Sequence, residues 1–235
     1  MIQAIYDGMW DKFITASERN EYELDKHLLD LDSDTRRGIT ALTYLKQGSG
    51  SALDEIIKFQ TAVQEIEPNQ YYHPFDELHL TVLSVISCIP AFELNEINTK
   101  SYADVFRSVL CSSLPPIEVK YQGVTASPNC IVVQGFPVND ALEKLRNNLR
   151  TQLTDAGLRV TFDSRYKLVT AHSSIVRFRL PISDGQTLLV LCQQYRNHKF
   201  GRIVFTDFEL VFNNWYQNLA VTESLAGHSQ LLTHS

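Results

Sequence analysis

The feature that most constrains this chain is an order of strand and helix patterns that occurs twice. "ITALTYL" (Ile39 to Leu45) alternates as a strand does, and "GSGS" (Gly48 to Ser51) punctuates it. Leu53, Ile56, Ile57, Phe59, Val63 and Ile66 then recur near a helical period, stopping before Pro68. The strand "LHLTVLSVI" follows, then a helix in "SYADVFRSVLCSSL" that ends at Pro115-Pro116, then two strands, "IEVKYQGV" and "NCIVVQGF", joined at "TASPN". The order returns with a helix opened by Pro137, striped by Val138, Ala141, Leu142, Leu145, Leu149 and Leu153 and closed at Gly157. After it come the strand "AHSSIVRFRL", a short helix around "GQTLLVLCQQY", and the strands "GRIVFTDFELVF" and "NLAVTES". This is a duplication of architecture rather than of residues. It predicts an α+β fold: two pseudo-symmetric lobes, each an antiparallel sheet with helices outside, around a central cleft.

Residues 39–224 form the expected bilobal domain. Residues 1–38 are an N-terminal helical extension, with Ile5, Met9, Trp10, Phe13 and Ile14 at helical spacing, and 225–235 a loosely held tail. A lid, a docking helix and a dimer contact all fit the extension, and no oligomeric state follows. A chain of 235 residues is long enough to fold without disulfides or metal.

The net charge of −6 and pI near 5.6 argue against a protein that grips long duplex nucleic acid, which needs a basic surface. Cys88, Cys111, Cys130 and Cys192 are widely spaced with no C-x-x-C pair, so they read as free buried thiols of a reducing compartment. With no signal-like start and no apolar run of membrane length, a cytoplasmic protein without membrane contact is the expectation. P-loop, dinucleotide and serine-hydrolase motifs are absent from the sequence, and no histidine set has metal-ligand spacing, so no cofactor is expected.

Two strands carry an unusual polar pair. On a strand, residues i and i+2 share a face, so His79 with Thr81, and His172 with Ser174, each project together. Brought across a cleft, two imidazoles and two hydroxyls suit chemistry on a phosphodiester. One imidazole takes a proton from the attacking oxygen and the other gives one to the leaving oxygen. The hydroxyls donate to the non-bridging phosphate oxygens. With seven histidines, about one H-x-[S/T] is expected by chance. What sets this pair apart is that both head apolar strands in corresponding positions between helices.

"LHLTVLSV" and "AHSSIVRF" resemble the two signature strands of the 2H phosphoesterase superfamily, which includes 2'-5' RNA ligase-like and cyclic phosphodiesterase proteins. The resemblance implies one H-x-[S/T] per lobe about a pseudo-twofold axis, His79 and His172 as the acid/base pair, and Thr81 and Ser174 on phosphate. It implies metal-independent cleavage of a 2',3'-cyclic phosphate or a 2'-5' linkage, in a small nucleotide or at an RNA terminus. It leaves open which histidine is the base. A nucleotide-binding module without catalysis, and an RNA ligase using the same cleft, are the rival readings.

Tyr71, Tyr72 and His73 precede the first signature strand and are candidates for a base-stacking wall, with a packed loop the favoured alternative. Arg165 and Tyr166, ahead of the second, are candidates for contact with phosphate or base. Strict alternation turns Arg177 and Arg179 away from the His172 face as surface charges. It leaves Phe178 on that face, either flooring the pocket or packed in the core.

Overall fold

The structure, a computed structural model, describes residues 2–111, 115–162 and 167–229. Two antiparallel sheets form, as the alternating patterns predict. The first consists of β1 (Arg36–Tyr44), β4 (His79–Pro90), β9 (Asp207–Asn213) and β10 (Glu223–Ser229), in the order β10-β9-β1-β4. The second contains β2 (Ser49–Gly50), β3 (Tyr71–Tyr72), β5 (Ile117–Ser127), β6 (Cys130–Pro137), β7 (Ser173–Arg177) and β8 (Lys199–Phe205), in the order β2-β8-β5-β6-β7-β3. Each sheet thus holds one signature strand, β4 or β7.

The helices are α1 (Ile2–Arg19), α2 (Ala52–Ile66), α3 (Thr99–Cys111), α4 (Ala141–Asp155) and α5 (Gly185–Gln194). Their partners are crossed. Helix α2, which precedes β4 in the chain, packs on β8 and α5 of the second sheet. Helix α4, which precedes β7, packs on β4 and on α3 of the first. The lobes are therefore not the two halves of the sequence, because each half lends a helix to the other. One continuous cluster of buried side chains, from Phe59 on α2 to Leu145 and Leu149 on α4, runs through both lobes.

Several boundaries differ from the sequence expectation. "GRIVFTDFELVF" is two strands, broken at Thr206, where the chain leaves the second sheet and enters the first. Composition gives no sign of such a break, since both strands are apolar. Pro137 ends β6 rather than opening a helix. Helix α4 starts at Ala141, whose amide donates to Asn139 Oδ1, and Val138 is exposed. Pairing of β10 with β9 continues to Ser229, past the start assigned to the tail.

Helix α1 docks on β5 and α5. It buries Tyr6, Trp10, Phe13 and Ala16, and the Tyr6 hydroxyl donates to the Gly135 carbonyl at 2.9 Å. Phe178 packs against Phe13 and Tyr22 rather than flooring the cleft. Among the cysteines, Cys130 and Cys192 are buried, Cys88 is partly buried and Cys111 is exposed. No helix among the described residues is long and apolar enough to cross a membrane.

Candidate functional site

His79 is the first residue of β4. The strand's alternation buries Leu78, Leu80 and Val82 and leaves His79 and Thr81 partly exposed on the opposite face. Their cross-strand partners are Tyr44 and Leu42 on β1. His172 lies one residue before β7, and Ser174 stands opposite Val132 of β6. Ser173, between them, is buried and meets the Tyr121 hydroxyl at 3.3 Å. The strands β4 and β7 approach with Cα atoms within 8 Å, so the two signature strands meet where the sheets face one another. Among the described residues, neither Thr81 nor Ser174 has its hydroxyl tied to another protein group.

The two imidazoles are held differently. His79 Nδ1 lies 2.7 Å from the Glu77 carbonyl oxygen, which can only accept, so Nδ1 carries the proton and in the neutral ring Nε2 is the nitrogen with the lone pair. His172 Nδ1 lies 2.8 Å from Thr170 Oγ1, a hydroxyl that can donate or accept. Withdrawal from water pushes the His79 pKa down to about 4. The Glu77 carbonyl opposes that shift and the Arg177 charge adds to it. His172 is also pushed down to about 4, first by withdrawal from water, then by the charges of Arg146, His79 and Arg177. The Thr81 and Thr170 carbonyls both accept from Nη2 of Arg146, so the segments that carry the two histidines lie side by side.

Arg177 corrects the sequence reading. In the β6–β7 ladder Val132 pairs with Ser174, but Ile131 pairs with Val176, so Ile175 is an extra, bulged residue. The bulge reverses the alternation after Ser174. Arg177 therefore shares the face of His172 and Ser174, while Val176 and Phe178 turn into the core. The guanidinium carbon lies 6.0 Å from the Trp215 ring centroid and 5.8 Å from that of Tyr216. Its Nε has no hydrogen-bond partner among the described residues.

The "YYH" stretch is split by the same geometry. Tyr71 pairs with Arg177 and is buried in a small cluster with Leu28 and Tyr216, apart from the main core. Tyr72 pairs with Val176 and faces the core, its hydroxyl donating to the Glu67 carbonyl at 2.7 Å. The Tyr72 side chain packs against the main core. His73 returns to the cleft side, its ring edge-on to His79 with centroids 6.2 Å apart. Burial, with Arg177 and His79 nearby, holds its pKa well below the ordinary histidine value. Arg165 and Tyr166 lie outside the described residues.

The loop between β9 and β10 closes one side. Asn218 Nδ2 donates to the Tyr71 hydroxyl at 2.7 Å and to Glu77 Oε2 at 2.9 Å, and the Leu219 amide donates to Glu77 Oε1 at 2.9 Å. Glu77 thus fixes this loop with its carboxylate and His79 with its carbonyl. Nothing in the sequence marks Glu77, because the partners of its carboxylate, Asn218 and Leu219, lie far away in the chain.

Solved structures share this architecture. TT0787 of Thermus thermophilus superposes with a TM-score of 0.53 at 15% identity, over 85% of this chain and 100% of that one. A phosphoesterase gives 0.51 at 14% identity, over 84% and 99%. E. coli LigT in complex with 3'-AMP gives 0.51 at 12% identity, over 83% and 98%. This chain has the LigT fold. The two-lobed α+β architecture implied by the resemblance to the 2H phosphoesterase superfamily is therefore the one the chain adopts. At these identities the likeness is one of backbone. No protein-family model matches the sequence, and no curated protein does. Among the described residues no group of three or more histidine, cysteine or acidic side chains converges as a metal site.

Proposed function

We propose that this chain is a phosphodiesterase that opens a 2',3'-cyclic phosphate, or cleaves a 2'-5' linkage, in a small nucleotide or at an RNA terminus. The observation that carries the reading is the approach of the two signature strands, whose Thr81 and Thr170 carbonyls share one donor, with Arg177 turned to the face of His172 and Ser174. A phosphate monoanion is the ligand such a cluster suits. Arg177 supplies charge, and Thr81 and Ser174 supply hydroxyl donors for the non-bridging oxygens. E. coli LigT, which has the same fold, holds 3'-AMP in its crystal structure, and this supports a small nucleotide.

The surroundings of the two rings suggest their roles. His79 is the acid, because the Glu77 carbonyl accepts from Nδ1 and favours the protonated ring. His172 is the base, because Arg146 and Arg177 both disfavour its protonated form. With Nδ1–H donating to Thr170 Oγ1, His172 Nε2 takes a proton from water as the water oxygen bonds to phosphorus. His79 acts from its imidazolium form, which the bound phosphate anion favours, with Nδ1–H on the Glu77 carbonyl and the second proton on Nε2. As the bond from phosphorus to the ribose oxygen breaks, that oxygen takes the Nε2 proton and leaves His79 neutral. The product is a phosphomonoester.

The test is turnover of 2',3'-cyclic AMP and of 2'-5' and 3'-5' dinucleotides, with and without EDTA. His79→Ala and His172→Ala should each lower kcat by about 10²–10⁴-fold, with chelation having no effect. Full activity in either variant, or loss on chelation, would overturn the reading. Tight nucleotide binding without product over hours would identify a binding module instead. Joining of a cyclic-phosphate end to a 5'-hydroxyl would identify a ligase.

A further inference from the structure

Each signature strand carries a bulge at the residue after its hydroxyl. On β4, Leu42 pairs with Thr81 and Ala41 with Leu83, so Val82 is the extra residue, as Ile175 is on β7. A bulged residue leaves the ladder, and its carbonyl needs another donor. Both carbonyls accept from a crossed helix, and the Ile175 carbonyl accepts from the His73 amide at 3.1 Å as well. Arg146 of α4 donates from Nε to the Val82 carbonyl at 2.8 Å, and from Nη2 to the Thr81 carbonyl at 3.0 Å and the Thr170 carbonyl at 2.8 Å. Gln60 of α2 donates from Nε2 to the Ile175 carbonyl at 2.8 Å and to the His73 carbonyl at 2.9 Å.

The two sets of bonds correspond. Each side chain ties the segment leading into its own half's signature strand to the bulge of the other strand. Gln60 joins His73, ahead of β4, to Ile175 on β7. Arg146 joins Thr170, ahead of β7, to Thr81 and Val82 on β4. Both side chains are buried, Arg146 at 1% exposure and Gln60 at 8%. We propose that Gln60 and Arg146 are a matched pair of positioning residues, which clamp the two bulges and so set how the histidine strands face each other. The inference rests on the cleft being the reaction site.

The pair is symmetric in geometry and asymmetric in charge. The groups acting on His172 are Arg146 from α4, Arg177 from β7 and His79 from β4. Removing the Arg146 charge should therefore raise the titration of His172, and removing neutral Gln60 should leave it in place.

The test uses the full chain with Arg146→Lys, Arg146→Gln and Gln60→Leu, checked for folding by circular dichroism. Ring signals of His79 and His172 are followed by NMR, and turnover of 2',3'-cyclic AMP is measured per folded molecule. Arg146→Lys keeps the charge and loses the three-carbonyl fork, and Gln60→Leu loses both its bonds. Each should lower kcat by about 10–100-fold with KM little changed, the size expected for an ångström-scale misplacement. Arg146→Gln should raise the His172 titration above that of Arg146→Lys, which loses the same three-carbonyl fork but keeps the charge. If it does not fold, Arg146→Lys and Gln60→Leu decide the matter. Wild-type kcat and wild-type ring shifts in both would overturn the proposal. If the wild type turns over no cyclic nucleotide, the functional reading fails by itself. Clamping is then judged on the ring shifts, which must move in both variants.

Discussion

Arg177 stands opposite Tyr71 in the β3–β7 ladder, and the bulge at Ile175 turns its side chain to the face that carries His172 and Ser174. The position decides what its loss should do. Arg177→Gln removes a cation from the proposed phosphate position and should lower kcat/KM for a cyclic nucleotide by about 10²-fold. Because the Arg177 charge disfavours protonation of both rings, the same variant should move the His79 and His172 titrations to higher pH. NMR titration reads this directly, and unmoved titrations would place the guanidinium outside the site.

Stability should fall as the solution is acidified through the histidine range. His79 and His172 have folded pKa values near 4, below the ordinary value of 6.5. The unfolded chain therefore binds protons that the folded chain refuses. Their contribution is fully present above about pH 6.5 and is lost as the pH falls towards about 4, at up to about 1.4 kcal/mol per pH unit for each ring. Urea midpoints at neutral pH and at about pH 5 test this, and His172→Gln should flatten the dependence.

Gly135 lies so close to the Ala171 carbonyl that an added Cβ would collide with backbone. Gly135→Ala should push Ala171, and His172 after it, out of place. The expected result is a folded but less stable protein with turnover reduced by about 10²-fold. Wild-type turnover in that variant would show that β6 can move without disturbing His172.

Helix α1 should behave as a docked element of the second lobe. Tyr6→Phe removes the hydroxyl that donates to the Gly135 carbonyl and accepts from the Gly135 amide at 3.2 Å. Leaving those buried groups unpaired should cost about 1–3 kcal/mol. Phe13→Ala, at a fully buried position, should cost about 3–5 kcal/mol. Both are read from urea denaturation, and unchanged midpoints would show α1 to be a detachable appendage.

The elements legible in the sequence are those with a long, uninterrupted period. The stripe Ala141, Leu142, Leu145, Leu149, Leu153 identifies α4, and the alternation of Leu78, Leu80 and Val82 with His79 and Thr81 identifies the face of β4. Strict alternation misplaces Arg177 because one unpaired residue, Ile175, inverts every later side chain, and no residue type announces a bulge. Tyr72 escapes the sequence for a related reason: a two-residue strand has no alternation to count, and only its pairing with Val176 shows where it points.

By itself the sequence determined the local elements and the two polar pairs heading apolar strands, because both depend only on spacing along the chain. The tertiary structure alone decided that α2 and α4 exchange lobes, that Thr206 carries the chain from one sheet to the other, and that Arg177 joins the histidines. Each of these depends on which distant backbone groups satisfy one another's hydrogen bonds. That pairing is chosen by the whole fold, since a buried carbonyl such as that of Val82 must find a donor wherever the packed chain supplies one.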